Sequence, residues 1–212
     1  MMHGLQLKRE GHNVTILERE PTSERSSHNA GIAFKAGMEE FLKKFDDTGV
    51  TSSFDSNTLH FAYRKWPSVY NRELKYRLTS WGLLYRVLRA NFDGFVSDAC
   101  PKPPPPRSGD GNATYLVGKH VNDIQYLDGT VTVHYSDVAS HKPERLDADL
   151  VIGADGVHST VREIVKAPAT KEYSGYVSWR GTVLEGELSK ETADYFINGF
   201  SFNLMRHSYV IW

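Results

Sequence analysis

The chain has 212 residues, with 25 Lys and Arg against 26 Asp and Glu and a formal net charge of −1. That balance gives no basis for a nucleic-acid or anionic-membrane partner, and an aromatic content of 12% excludes global disorder. The single cysteine, Cys100, cannot form an internal disulfide, which fits a reducing, cytoplasmic location.

Cys100 lies in a loop-like stretch before a proline and carries no evident role. No apolar run is long enough to span a bilayer. The N-terminus lacks the apolar core of a signal peptide. The length suits one domain, or one and part of a second.

Met1 to Glu10 reads as a helix, with Leu5 near Met1 and Met2 on one face and Gly11 as its stop. Val14 to Leu17 reads as a strand with Glu18 at its tip. A helix, a glycine and a strand ending in an acid form the second half of a dinucleotide-binding βαβ unit, in which the acid bonds the adenosine ribose. A solvated strand end is the plainer reading of Glu18. Gly4 and Gly11 do not make the glycine fingerprint that precedes such an acid.

Pro21 to Ala30 is polar and loop-like, and Gly31-Ile32-Ala33 leads into a helix from about Gly37 to Phe45, with Phe41, Leu42 and Phe45 on its apolar side. Thr51 to Tyr76 reads as short strands and turns. Thr79 to Arg89 is a helix with a hydroxyl cap, in which Leu84, Val87 and Leu88 form one stripe; Arg86 and Arg89 read as solvated and Trp81 as a core aromatic or a site residue. Pro101 to Asn112, PKPPPPRSGDGN, is the clearest loop.

Three strands follow: Ala113 to His120, Val121 to Tyr126, then Thr130 to Tyr135 after a turn at Asp128-Gly129. His134 and His141 share no metal-ligand spacing with a third ligand, so no metal is expected.

The organising stretch is Asp149 to Arg162, DLVIGADGVHSTVR. Val151 and Ile152 read as a buried strand. Gly153 and Gly156 bracket a tight turn. Ser159 or Asp155 can cap a helix carrying Val161, Arg162, Ile164 and Val165. A strand, an acidic turn and a helix start bearing an arginine suit the ribose and phosphates of a dinucleotide; an ordinary capped turn is the competing reading. His158 beside it reads as a surface residue. Beyond it, Tyr173 to Val183 alternates with period two, placing Tyr176, Ser178 and Arg180 on one face. Leu188 to Ile197 reads as a short helix, and Phe200 to Leu204 and Tyr209 to Trp212 as strands.

DLVIGADGVHSTVR resembles the DG motif of the flavin-dependent aromatic hydroxylases of the para-hydroxybenzoate hydroxylase type. VTILERE resembles their second strand, while TSWGLLYRVLR and GYVSWRG resemble the branch containing 2,6-dihydroxypyridine hydroxylase. The resemblance implies an α/β fold: an incomplete Rossmann-like FAD-binding domain over 1–170, a β-meander, and the start of a sheet-based substrate domain over 171–212, with 50–78 a possible contributor to it.

It implies FAD contacts from Glu18 (ribose), Arg19 (adenine), Gly31 and Ile32 (ribityl and pyrophosphate), Trp81 (flavin), Asp155 and Gly156. It also implies NAD(P)H phosphate binding by Arg162, and pocket positions at Tyr176 and Arg180. The implied chemistry is NAD(P)H reduction of FAD, activation of molecular oxygen and hydroxylation of an aromatic or heteroaromatic ring. No catalytic base is named. The fingerprint strand and the distal Gly-Asp motif of the family have no counterpart in the sequence, so it reads as part of such an enzyme, expected to bind FAD poorly and to turn over nothing alone. Another oxidoreductase of the same fold, such as a reductase or halogenase, and an inactive binding or structural fragment are the alternatives.

Overall fold

The computed structural model describes residues 1–23, 30–63, 70–167, 170, 172–179, 181, 183–196, 200–204 and 209–211, with side chains described outside 56–76 and 195–212. In chain order the elements are α1 (Met2–Arg9), β1 (Val14–Leu17), β2 (Gly31–Phe34), α2 (Ala36–Phe45), β3 (Phe54–Tyr63), β4 (Tyr70–Ser80) and α3 (Trp81–Asp93). Then follow β5 (Ala113–Leu116), β6 (Lys119–Leu127), β7 (Thr130–Asp137), β8 (Pro143–Ala148), α4 (Thr160–Ile164), α5 (Lys190–Phe196), β9 (Phe200–Leu204) and β10 (Tyr209–Ile211). The content is mixed α/β, and the chain divides into two compact units: Met1–Arg25 with Arg107–Ser178, and Ser26–Pro106 with Trp179–Trp212.

In the first unit, α1 lies against β1 and buries Leu5 completely. Lys8 and Arg9 close the helix, where cations complement its dipole. Both ion-pair with Asp110, whose side chain is 2% exposed. The proline-rich loop is therefore loop as expected, but its Gly-Asp-Gly end is fastened to α1.

β1 pairs in parallel with β5, from Val14 opposite Ala113 to Leu17 opposite Leu116. The next three strands form an antiparallel meander, β6-β7-β8. Asp128 and Gly129 both take positive φ, which fits the two-residue hairpin turn the dipeptide favours. Val133 and Tyr135 of β7 are buried at alternate positions, as period-two patterning demands. Two strand boundaries differ from the sequence reading. The strand from Ala113 ends at Leu116 and pairs with β1 rather than the meander. The third meander strand is β8, PERLDA, whose three charged residues among six hid its alternation.

The second unit holds a five-stranded sheet in the order β10-β9-β3-β4-β2. Its strands β3 and β4 pair antiparallel over most of their length, and β3 pairs in parallel with β9. β4 runs directly into α3, where Ser80 is the cap: its hydroxyl accepts from the Leu83 N–H at 3.1 Å. Gly94 in the left-handed conformation ends α3. The stripe expected on α3 is buried: Leu84, Val87 and Leu88 are 7%, 0% and 4% exposed.

In α2, Leu42 and Phe45 are buried. Asn91 ties the two helices. Its amide donates to Asp46 Oδ1 at 2.7 Å and to the Val87 carbonyl at 2.8 Å, and it accepts from the Asp47 N–H at 2.8 Å. Cys100 is buried, bridged to Ser97, and burial, then the nearby Asp46 carboxylate, pushes its thiol pKa up.

Three expectations from sequence are corrected. Val151 and Ile152 form no strand, and Ile152 is 48% exposed. A strand exists only with a ladder partner, and no described strand pairs with these residues. Tyr173 to Val183 likewise contains no strand among its described residues, and Trp179 is 92% exposed. Arg89, read as solvated, is 4% exposed. It escapes the usual cost of burying charge through a bidentate pair with Asp93, with both bonds at 2.8 Å.

Candidate cofactor site

The DG turn is built by its own side chains. Asp155 accepts a short hydrogen bond from the Ser159 hydroxyl, and its other oxygen accepts from the Val161 N–H at 3.0 Å. The Ser159 oxygen in turn accepts from the Arg162 N–H at 2.9 Å. Two N–H groups of the first turn of α4 are thus satisfied by two side chains, so Ser159 and Asp155 share the capping that sequence left open between them. Ser159 is 5% exposed, so the cap is buried. Burial opposes ionisation of Asp155, but the bonds from Ser159 and Val161 outweigh it and hold its pKa below the ordinary value.

Arg162 folds back over the turn. Its guanidinium donates to the Gly156 carbonyl at 3.4 Å and the Val157 carbonyl at 2.6 Å. Gly156 has φ +80°, a conformation that disfavours any side chain. A Cβ on Gly153 would lie 2.8 Å from Val161 Cγ1, so the missing side chain lets the chain pack against α4. None of α4 is buried, and Val165 is 61% exposed.

Glu18 follows β1, as expected. Its N–H donates to the Leu116 carbonyl at 2.8 Å, and its carbonyl accepts from the Lys119 N–H at 2.8 Å. Its carboxylate accepts from the Glu20 N–H at 2.9 Å, which shapes the turn beyond the strand. Arg19 is exposed. β6, which begins at Lys119, also lies against α4. One strand therefore connects the Glu18 turn to the helix capped by Asp155. The two acids do not end strands of a common sheet, because Asp155 stands on a loop.

In the second unit, Gly31, Ile32 and Trp81 come together. β2 pairs with β4 with Gly31 opposite Ser80 and Ile32 opposite Thr79. The Trp81 N–H donates to the Ala30 carbonyl at 2.9 Å, locking the start of α3 to the start of β2. The Trp81 ring stacks on Tyr85 at 5.1 Å between centroids.

Residues 107–203, which include the DG turn, match the FAD binding domain family. The chain is also similar in sequence to monooxygenases. It is 25% identical over 179 residues to the 6-hydroxynicotinate 3-monooxygenase of Pseudomonas fluorescens, covering 82% of this chain and 42% of that protein. It is 31% identical over 101 residues to the 2,6-dihydroxypyridine 3-monooxygenase of Paenarthrobacter nicotinovorans, covering 48% and 24%.

The solved 2,6-dihydroxypyridine-3-hydroxylase of Arthrobacter nicotinovorans has the same fold, with a TM-score of 0.76 and 24% identity over 99% of this chain and 47% of that one. The chain thus spans less than half the length of these relatives. The resemblance read from the DG motif, VTILERE and GYVSWRG is borne out at the level of family and fold.

Of the residues singled out from sequence, the structure puts Glu18, Arg19, Asp155, Gly156 and Arg162 in one unit and Gly31, Ile32 and Trp81 in the other. Tyr176 is 67% exposed and lies outside any helix or strand. Arg180 lies outside the described residues. Sequence reasoning missed Asp110 and Asn91. A lone polar residue in a loop or helix gives no signal of burial, and its partners lie far away in sequence. Among the described residues no helix is long and apolar enough to cross a membrane, and no cluster of three metal-ligating side chains occurs.

Proposed function

We propose that this chain is the FAD-binding portion, with part of the substrate-binding sheet, of an NAD(P)H-dependent monooxygenase that hydroxylates an aromatic or heteroaromatic ring. The observation that carries the reading is the DG turn: it lies inside the stretch that matches the FAD binding domain family, and its aspartate is held ionised at a helix start. The donor set fits a dinucleotide. An acid at the end of β1 suits ribose hydroxyls, and a planar guanidinium suits phosphate oxygens.

Glu18 and Arg19 would hold the adenosine end, Asp155 and Gly156 would present the turn, and Gly31, Ile32 and Trp81 would face the flavin. FAD held there would supply the redox chemistry, with NAD(P)H as the hydride donor and molecular oxygen as the source of the atom inserted into the ring. This chain's residues bind and orient it: Asp155 and Ser159 keep the turn in shape, and Trp81 gives an aromatic surface. Tyr176 and Arg180 remain the proposed ring-binding residues. The relatives' names suggest a hydroxylated pyridine or benzoate as the substrate class.

The test is NADPH oxidation by the FAD-loaded chain with and without hydroxypyridines and hydroxybenzoates. Oxidation stimulated by the ring compound supports a hydroxylase. NADPH-driven bleaching that ignores every ring compound means a reductase. FAD binding with neither response is the outcome expected of this chain alone, and no FAD binding at all overturns the reading.

A further inference from the structure

α3 carries an aromatic and cationic ladder that its amphipathic stripe does not require. Trp81, Tyr85, Arg89 and Asp93 follow one another at spacings of four, so they share one face of the helix. The Trp81 and Tyr85 rings are stacked at 11° between planes. Arg89 donates to the Tyr85 hydroxyl at 2.6 Å, and its guanidinium lies 5.6 Å from the Tyr85 ring and 4.5 Å from that of Phe95. Asp93 grips the same guanidinium through two bonds.

A leucine at 85 would fill the same core. Tyrosine adds a hydroxyl anchored to a charge that is itself clamped. That anchor restrains the ring, and a restrained ring fixes the plane of whatever stacks on it. Trp81 is the first residue of α3, with its N–H fastened to Ala30 beside Gly31.

We propose that Tyr85 and Arg89 are positioning residues for Trp81, holding its indole in one plane at the β2–α3 junction as a preformed wall for a planar ring of the flavin class. The proposal rests on the reading that this junction faces FAD. Its physical content is rigidity: a wall set before binding spares the ligand the entropy of ordering it.

The test is acrylamide quenching of tryptophan fluorescence in the 212-residue chain, with the Trp81 component obtained by subtracting Trp81→Phe. Tyr85→Leu should raise quenching of Trp81 by about threefold, and Tyr85→Phe and Arg89→Lys by smaller factors, as the stack loses first its ring and then its anchor. Asn91→Ala, which removes another buried α3 side chain outside the ladder, should leave Trp81 unchanged.

If Tyr85→Leu does not fold, judged by far-UV circular dichroism, the comparison of Tyr85→Phe and Arg89→Lys with Asn91→Ala carries the test. Trp81 quenching that is the same in all ladder variants as in the parent, or that rises as much in Asn91→Ala, overturns the proposal. Fluorescence polarisation of FAD separates the two readings. Unchanged FAD affinity in Trp81→Phe, with the quenching results as expected, removes the flavin assignment and leaves the positioning intact.

Discussion

The Arg162 guanidinium donates to the Val157 carbonyl at 2.6 Å, so the arginine that sequence assigns to a phosphate closes the turn that Asp155 opens. Two functions compete for one fork. Arg162→Lys keeps the charge but loses the planar donors. We expect it to loosen residues 155–158, seen as faster amide exchange there, and to weaken NADPH binding. Normal exchange with weakened NADPH would assign Arg162 to the phosphate alone; faster exchange with unchanged NADPH would assign it to the turn alone.

Ser159→Ala should destabilise the first unit by about 1–2 kcal/mol. It removes a cap and strips Asp155 of a donor. Because Asp155 owes part of its lowered pKa to that hydroxyl, its carboxyl should titrate higher in the variant. Carboxyl NMR titration would report this, and an unmoved pKa would contradict the bonding described.

Gly153→Ala should be destabilising, because its methyl meets Val161. The double variant Gly153→Ala with Val161→Ala should recover most of the loss. Urea denaturation of both decides the matter, and equal stability of single and double variants would show that the contact is not tight.

Much of this was legible in sequence. The glycine, aspartate and hydroxyl spacing of 153–159 announced a capped turn, and Glu18 at a strand end needed only local patterning. What was not legible depends on partners distant in the chain. The apolar run at 151–152 looks like a strand in isolation, yet strand character is a property of pairs. Arg89 looked solvated because its charge says so, while its pairing with Asp93 and Tyr85 decides its burial. Asp110 is held by Lys8 and Arg9, about a hundred residues away in sequence.

Asp110→Ala should therefore cost about 3 kcal/mol or more, since two buried cations lose their carboxylate. Urea unfolding measures it. A loss under about 1 kcal/mol would mean the ions are solvated.

The meander carries a pH signature. Asp137 accepts from Ser140 and pairs with Lys119, and these bonds hold its pKa down at about 2, against 3.8 ordinarily. A depressed carboxylate stabilises the fold above its unfolded pKa and loses that contribution as pH falls through the folded value. The difference in Tm between parent and Asp137→Asn should be full near neutrality and close between about pH 4 and 2. A gap that persists at pH 2 would place its origin in side-chain shape rather than charge.

In the proposed function the acid after β1 and the DG turn hold FAD. Equilibrium fluorescence polarisation of FAD, titrated with the chain and with its Glu18→Gln variant, tests it most directly. We expect weak, saturable binding that Glu18→Gln weakens further by about tenfold, the loss expected when a charge-assisted bond to a ribose hydroxyl becomes a neutral one. No saturable binding, or identical curves for the two proteins, would contradict it.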